Sequence, residues 1–234
     1  MSDQHSHMWR NEAAPPSDTV GIVLAGGGAT RLASVAEVTR GGKAAVVFRG
    51  RTFVEQVVAA VAAGVHDTIV VAAAGQPLPA LARAQIVTDS APGAGPLAGI
   101  RDGLAAARAA AERRNGPPPR FAFVASCDLP LLRPEVVRLL VEAARRSDAL
   151  WTVPLVHGHR QVLVSVMRVE LLPRIEAWLA TGRRDLRGLL SALVDDEPGS
   201  VRDVTEVELS AADPALESFV DIDTPEDLER LQSR

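Results

Sequence analysis

Apolar residues along the chain alternate between short unbroken runs and longer stretches with helical spacing. Val20 to Leu24 is wholly apolar and runs into glycines, which predicts a buried parallel strand. Thr68 to Ala72 predicts a second strand, Gln85 to Thr88 a short third and Phe121 to Ala125 a fourth. Between them, Phe53, Val57, Val58 and Val61 share one face of a helix over Thr52 to Gly64. Leu97, Ile100, Leu104 and Ala107 do the same over Pro96 to Arg114, with proline at the start. Asn115 to Pro119 (NGPPP) breaks both periods and is read as a loop. Arg133 to Arg146 is helical. Ala149 to Leu155 and Gln161 to Met167 are read as strands around the loop VHGHR, an antiparallel excursion. Glu170 to Ala180 and Asp185 to Val194 are helical, and Phe219 to Ile222 is read as a last strand. Thr224 is the expected N-cap of a closing helix, with Pro225 first and Asp227 third.

Strand and helix alternate throughout, which predicts one three-layer α/β/α domain from residue 19 to 234. Its sheet is doubly wound and mostly parallel, and residues 1–18 form a flexible tail. Composition supports this: 47% of the 234 residues are apolar but only 3% aromatic, with no tyrosine. Val, Leu and Ala must fill the core, as they do where helices lie on a sheet. A net charge of −4 gives no general attraction to nucleic acid. One cysteine, Cys127, excludes an internal disulfide framework. No apolar run is long enough to span a bilayer, and the N-terminus lacks the apolar core of a secretory signal. A cytoplasmic protein is expected, with no membrane and no nucleic acid among its partners.

The chemistry gathers where apolar runs end. The first strand meets Ala25-Gly26-Gly27-Gly28-Ala29-Thr30-Arg31. Consecutive glycines let backbone approach a ligand, successive N–H groups there bind anions, and Arg31 pairs with phosphate. Lys43 follows a second Gly pair. The spacing matches neither a Walker loop nor a dinucleotide fingerprint. A plain glycine turn with two solvated cations is the competing reading. Asp128 follows the strand Phe121 to Ala125, at the sheet edge where α/β proteins bind ligands. There it suits magnesium, which takes one or two carboxylates plus phosphate oxygens; its alternative is a turn cap. Asp89 and the helix start at Gly95-Pro96 form a similar edge, read either as a ribose or metal contact or as a turn. Cys127 reads as a packing residue, and His157 and His159 as solvent-facing. His5 and His7 read as part of the solvated tail.

Together, GIVLAGGGATRL, KAAVVFRGRTFVEQVV, GPLAGI, CDLPLL, GHRQVLVSVMRVELLPRIEAWL and FVDIDTPEDLERL resemble the molybdenum cofactor guanylyltransferases of the nucleotidyltransferase superfamily. The resemblance spans Val20 to Leu231, and GPLAGI combined with CDLP is its most specific part. It implies transfer of GMP from GTP to the phosphate of molybdopterin, with magnesium as cofactor. It also implies partner proteins from cofactor biosynthesis or a molybdoenzyme. Leu24, Ala25, Gly26 and Gly27 would hold the nucleotide, with Lys43, Asp89 and Asp128 as further contacts. Lys43, Arg31 and Asp128 would be catalytic, and Asp128 the metal ligand. Pro96, Leu97, Gly99, Gln161, Asp221 and Asp223 would bind substrate. Three departures stand out: a long stretch between Arg31 and Lys43, alanine at 72 and 73 where the family can carry a base-contacting Asn, and Asp221 and Asp223 in place of an Asn pair. A relative that uses CTP or a different phosphorylated acceptor, and a non-catalytic nucleotide binder, are therefore the rival readings.

Overall fold

The computed structural model describes residues 16–26 and 41–233. Gly27, Gly28 and Arg31, most of the stretch between Arg31 and Lys43, and the first fifteen residues of the expected tail lie outside the described residues. Within them, Asp18 already caps the sheet, its backbone oxygen accepting from Arg120 and Phe121 N–H at 2.8 and 3.0 Å.

The strands are β1 (Thr19–Leu24), β2 (Val47–Phe48), β3 (Arg51–Thr52), β4 (Asp67–Ala72), β5 (Gln85–Thr88), β6 (Phe121–Ser126), β7 (Trp151–Val156), β8 (His159–Arg160), β9 (Val164–Arg168) and β10 (Val201–Val204). The helices are α1 (Phe53–Ala62), α2 (Pro96–Arg113), α3 (Pro134–Arg145), α4 (Leu172–Ala180), α5 (Leu186–Asp196), α6 (Glu206–Leu209) and α7 (Pro225–Gln232). The main sheet runs β10-β7-β9-β6-β1-β4-β5. Its pairs are parallel except those made by β9, which is antiparallel to both β6 and β7. β8 adds a short antiparallel pair to β7.

Period-two alternation splits the sheet's side chains between two cores. Val23 packs with Val57 and Val61 of α1 and Val137 and Leu140 of α3. Ile22 and Leu24 pack with Ile100 and Leu104 of α2 and with residues of α4 and α5. Helix α2 lies tight on β1: a Cβ on Gly103 would stand 2.7 Å from Ile22 Cγ2. A third cluster joins Phe48, Phe53 and Ile222 to Leu228 and Leu231 of α7. Among the described residues no helix is long and apolar enough to cross a membrane.

The α/β layering and the antiparallel excursion follow the sequence reading; two strands do not. Residues 219–222 form no strand, because Leu216 turns the chain in the left-handed region (φ 55°) and Glu217–Phe219 is a 3-10 turn. Ile222 N–H then makes one bond, 3.0 Å to Asp128 O, instead of a ladder. The strand expected from Gln161 starts at Val164, because Gln161 N–H donates to Pro154 O and its own carbonyl takes Val164 N–H in a turn. VHGHR is not a plain loop either: His157 and Gly158, both at positive φ, form the two-residue turn of the β7–β8 hairpin. Strand β10 escaped the reading because its polar Arg202 and Asp203 suit a sheet edge.

Candidate functional site

Four parallel strands end together, so the residues after β1, β4, β5 and β6 meet along one edge. Beyond β1, the N–H groups of Ala25 and Gly26 both donate to Val71 O, at 2.8 and 3.2 Å. Leu24 O accepts from Cys127 N–H at 3.0 Å, which locks the β1 and β6 ends together. These groups are occupied by the sheet, so Leu24 to Gly26 form a rigid floor and offer no spare N–H at Ala25 or Gly26.

Over that floor lies a cavity of about 530 Å³, lined by Leu24, Gly26 and Val71 on one side and Asp89, Gly95 and Pro96 on another. Gly99, Ala73, Pro92 and Gly93 also line it, as do Ser126 and Leu163. Asp89 follows β5; its Oδ1 accepts Ala91 N–H at 2.9 Å, so it does form a turn, while Oδ2 faces Gly26. Gly95 (φ 84°) caps α2, and the positive end of this 18-residue helix opens at the cavity. Leu97 is different from its neighbours: it is fully buried in the core, so its side chain seats α2 and does not face the cavity.

A smaller cavity of about 160 Å³ shares Ser126 and Leu163 with the first. Asp128, Asp221 and Gln161 line it, with Arg160 and Arg187. Gln161 Nε2 donates to His159 O at 3.3 Å. Arg160 is held by Asp203 through two hydrogen bonds of 2.6 and 2.8 Å. Arg187, Ser126 and Leu163 carried no sequence signal. Each is a lone residue in an ordinary helix, strand end or turn, and only the topology brings them to this edge.

Lys43 sits on a 3-10 turn (Gly42–Ala45) before β2. Its Nζ lies 3.0 Å from Asp128 Oδ2 and also bonds Asp223 Oδ1. Partial burial works to lower the Lys43 ammonium, but the bond to Asp223 and the charge of Asp128 outweigh it and raise the group above its ordinary range. Asp221 is pushed up by burial first and by the Asp223 charge second. Ile222 N–H to Asp128 O ties the 221–223 segment to the β6 end. The structure thus brings together Lys43, Asp128 and Asp223 in one cluster, with Asp221 beside it, though they are 180 residues apart at the extremes.

Cys127 is buried and its thiol raised by that burial, which makes it a packing residue. His157 is exposed beside Glu206, and His159 is exposed on β8. Among the described residues no three His, Cys, Asp or Glu form a metal cage.

The model of the MobA-like NTP transferase domain matches residues 21–197. A protein of Mycobacterium avium (strain 104) named "Probable molybdenum cofactor guanylyltransferase" is 37% identical over 172 residues, 74% of this chain and 80% of that protein. Among solved structures, molybdopterin-guanine dinucleotide biosynthesis protein A of Archaeoglobus fulgidus superposes with TM-score 0.68 at 22% identity, over 92% of this chain and 97% of that one. The 2-C-methyl-D-erythritol 4-phosphate cytidylyltransferase of Thermus thermophilus gives 0.64 at 20%, over 92% and 98%. These structural likenesses carry the fold; the family model and the sequence relative carry the kinship. Its parallel strand ends, its two cavities that share Ser126 and Leu163, and its lysine–carboxylate cluster accord with that kinship: the chain belongs to the MobA-like NTP transferase family and is a nucleotidyltransferase.

Proposed function

We propose that the chain transfers GMP from GTP to the terminal phosphate of molybdopterin. An oxygen of that phosphate attacks the α-phosphorus, a new P–O–P bond forms, the α–β bond breaks, and pyrophosphate leaves with its electron pair. The observation that carries this reading is the pair of cavities sharing Ser126 and Leu163, with Asp128 lining the smaller and paired to Lys43. The larger takes the nucleoside, over Leu24 to Gly26 and against Asp89, Pro96 and Gly99. The smaller takes the acceptor, against Gln161 and Asp221.

Such transfer needs in-line positioning and charge neutralisation more than a covalent nucleophile. Lys43 supplies positive charge to the phosphates; Arg31 and Gly27, outside the described residues, keep the roles the family resemblance implies, charge neutralisation and nucleotide contact. Arg160 and Arg187 offset the acceptor's charge. The donor set also fits magnesium: Asp128 and Asp223 are hard oxygen donors that already converge on one cation, the Lys43 ammonium. Magnesium takes one or two carboxylates with phosphate oxygens and waters, so no three-residue cage is required. Asp128 would hold it, with Asp223 nearby, and the ion would neutralise charge on the α-phosphate and the leaving pyrophosphate. A cytoplasmic site of action and hand-over to a molybdoenzyme belong to the same reading.

A CTP-using variant is the second reading, favoured by Asp221-Ile222-Asp223-Thr224-Pro225 and by alanine at 72 and 73. Thermal shifts with GTP, CTP, ATP and UTP, each with magnesium, separate the two, because ligand that binds only the folded state stabilises it by mass action. Stabilisation by GTP above the others is expected; stabilisation by CTP alone would replace the nucleotide in this proposal.

A further inference from the structure

We propose that Gln76 is a positioning residue that holds the Lys43 turn in register with the nucleotide cavity. Gln76 lies in the loop after β4, outside every motif of the family resemblance. Its backbone N–H donates to Ala73 O at 3.1 Å, and its Oε1 accepts Ala73 N–H at 3.0 Å, so the loop closes on itself and fixes the side chain. Both Nε2 hydrogens are then aimed elsewhere: one to Ala25 O at 3.0 Å, the other to Gly41 O at 2.8 Å. One amide therefore joins three segments: the end of β4, the end of β1 under the cavity, and the glycine two residues before Lys43. The amide's orientation is determined, since only its NH2 end can serve two carbonyls.

A separate observation places the Lys43 turn on the same support. A Cβ on Gly41 would stand 2.3 Å from Ala45 Cβ and 3.2 Å from Pro77 O. The turn thus rests against the Gln76–Pro77 backbone as well as on the Gln76 amide. Lys43 Nζ, in turn, reaches Asp128 and Asp223 from this seat. The seat stands on geometry alone; its catalytic consequence rests on the transferase reading above.

The test uses the full chain carrying Gln76→Glu, which keeps size and the acceptor for Ala73 but loses both donors, and Gln76→Ala. Amide exchange is measured without nucleotide or metal. In both variants peptides spanning residues 41–48 exchange about tenfold faster or more, the scale expected when two partly buried carbonyls lose their donors, while β6 peptides are unchanged. Unchanged exchange at residues 41–48 would overturn the seat. Pyrophosphate release is then measured for Gln76→Glu, Lys43→Ala and the double variant. If Gln76 acts through Lys43, its substitution lowers kcat/KM alone but by less than about twofold in the Lys43→Ala background. Losses that multiply would overturn the positioning role. If the unaltered chain turns over no triphosphate, the transferase reading falls, and exchange alone decides the seat.

Discussion

Lys43 Nζ stands between Asp128 and Asp223, two carboxylates that would repel each other without it. Removing it by Lys43→Ala is expected to slow pyrophosphate release by about hundredfold or more, the usual effect of losing a well-placed charge in a preorganised site. Release within a few-fold of the parent would remove Lys43 from the reaction. Asp221 makes a pH-dependent prediction. Burial and the Asp223 charge raise its carboxyl, so the folded chain holds that proton more tightly than the unfolded one. Ionisation therefore costs stability as pH rises through the folded group's titration, and below the usual carboxylate range both states are protonated and the cost vanishes. Metal-free Asp221→Asn should melt higher than the parent at neutral pH and at the same temperature near pH 3; an equal or lower melting temperature at neutral pH contradicts this. Lys43, Asp89 and Asp128 were legible in the sequence because each follows an apolar run or a glycine turn. Gln76 was not: one amide within AAAGQPLPAL has no periodicity, and its three partners come from three segments.

Elements deliver these residues through caps and close packing. Thr224 Oγ1 accepts Asp227 N–H at 3.2 Å, and Asp227 accepts Thr224 N–H at 3.0 Å, a reciprocal box that caps α7 at the residue after Asp223. The Thr224 side-chain bond, ahead of its backbone bond, lowers the Asp227 carboxyl. That stabilisation is present above the usual Asp range and is lost as pH falls through the folded value. Thr224→Ala should cost about 1 kcal/mol at neutral pH, with a smaller difference under acid conditions, as read by denaturant unfolding at several pH values. Gly103→Val should cost about 1–3 kcal/mol by forcing α2 away from Ile22; no loss would mean that α2 shifts freely. The cap was readable from Thr224-Pro225-Glu226-Asp227. The seats of β8 and β10 were not, since a two-residue hairpin arm and a polar edge strand carry almost no alternation.

For the whole molecule, unbroken Val-rich runs gave away the layered sheet, because a parallel strand buried on both faces has to be apolar throughout. The site was legible as pieces but not as an arrangement. Strand order decides that the β6 end, the Lys43 turn and the segment before α7 converge, and strand order is set by long-range packing. In the proposed reaction this convergence catalyses nucleotidyl transfer. Pyrophosphate release from GTP with magnesium and molybdopterin, measured in parallel for the parent and for Asp128→Asn with matched unfolding curves, decides it. Release by the parent is expected only when all three components are present, with a rate lower by about hundredfold or more for the variant. Equal rates in the two proteins, or no release by the parent from any triphosphate, would contradict it.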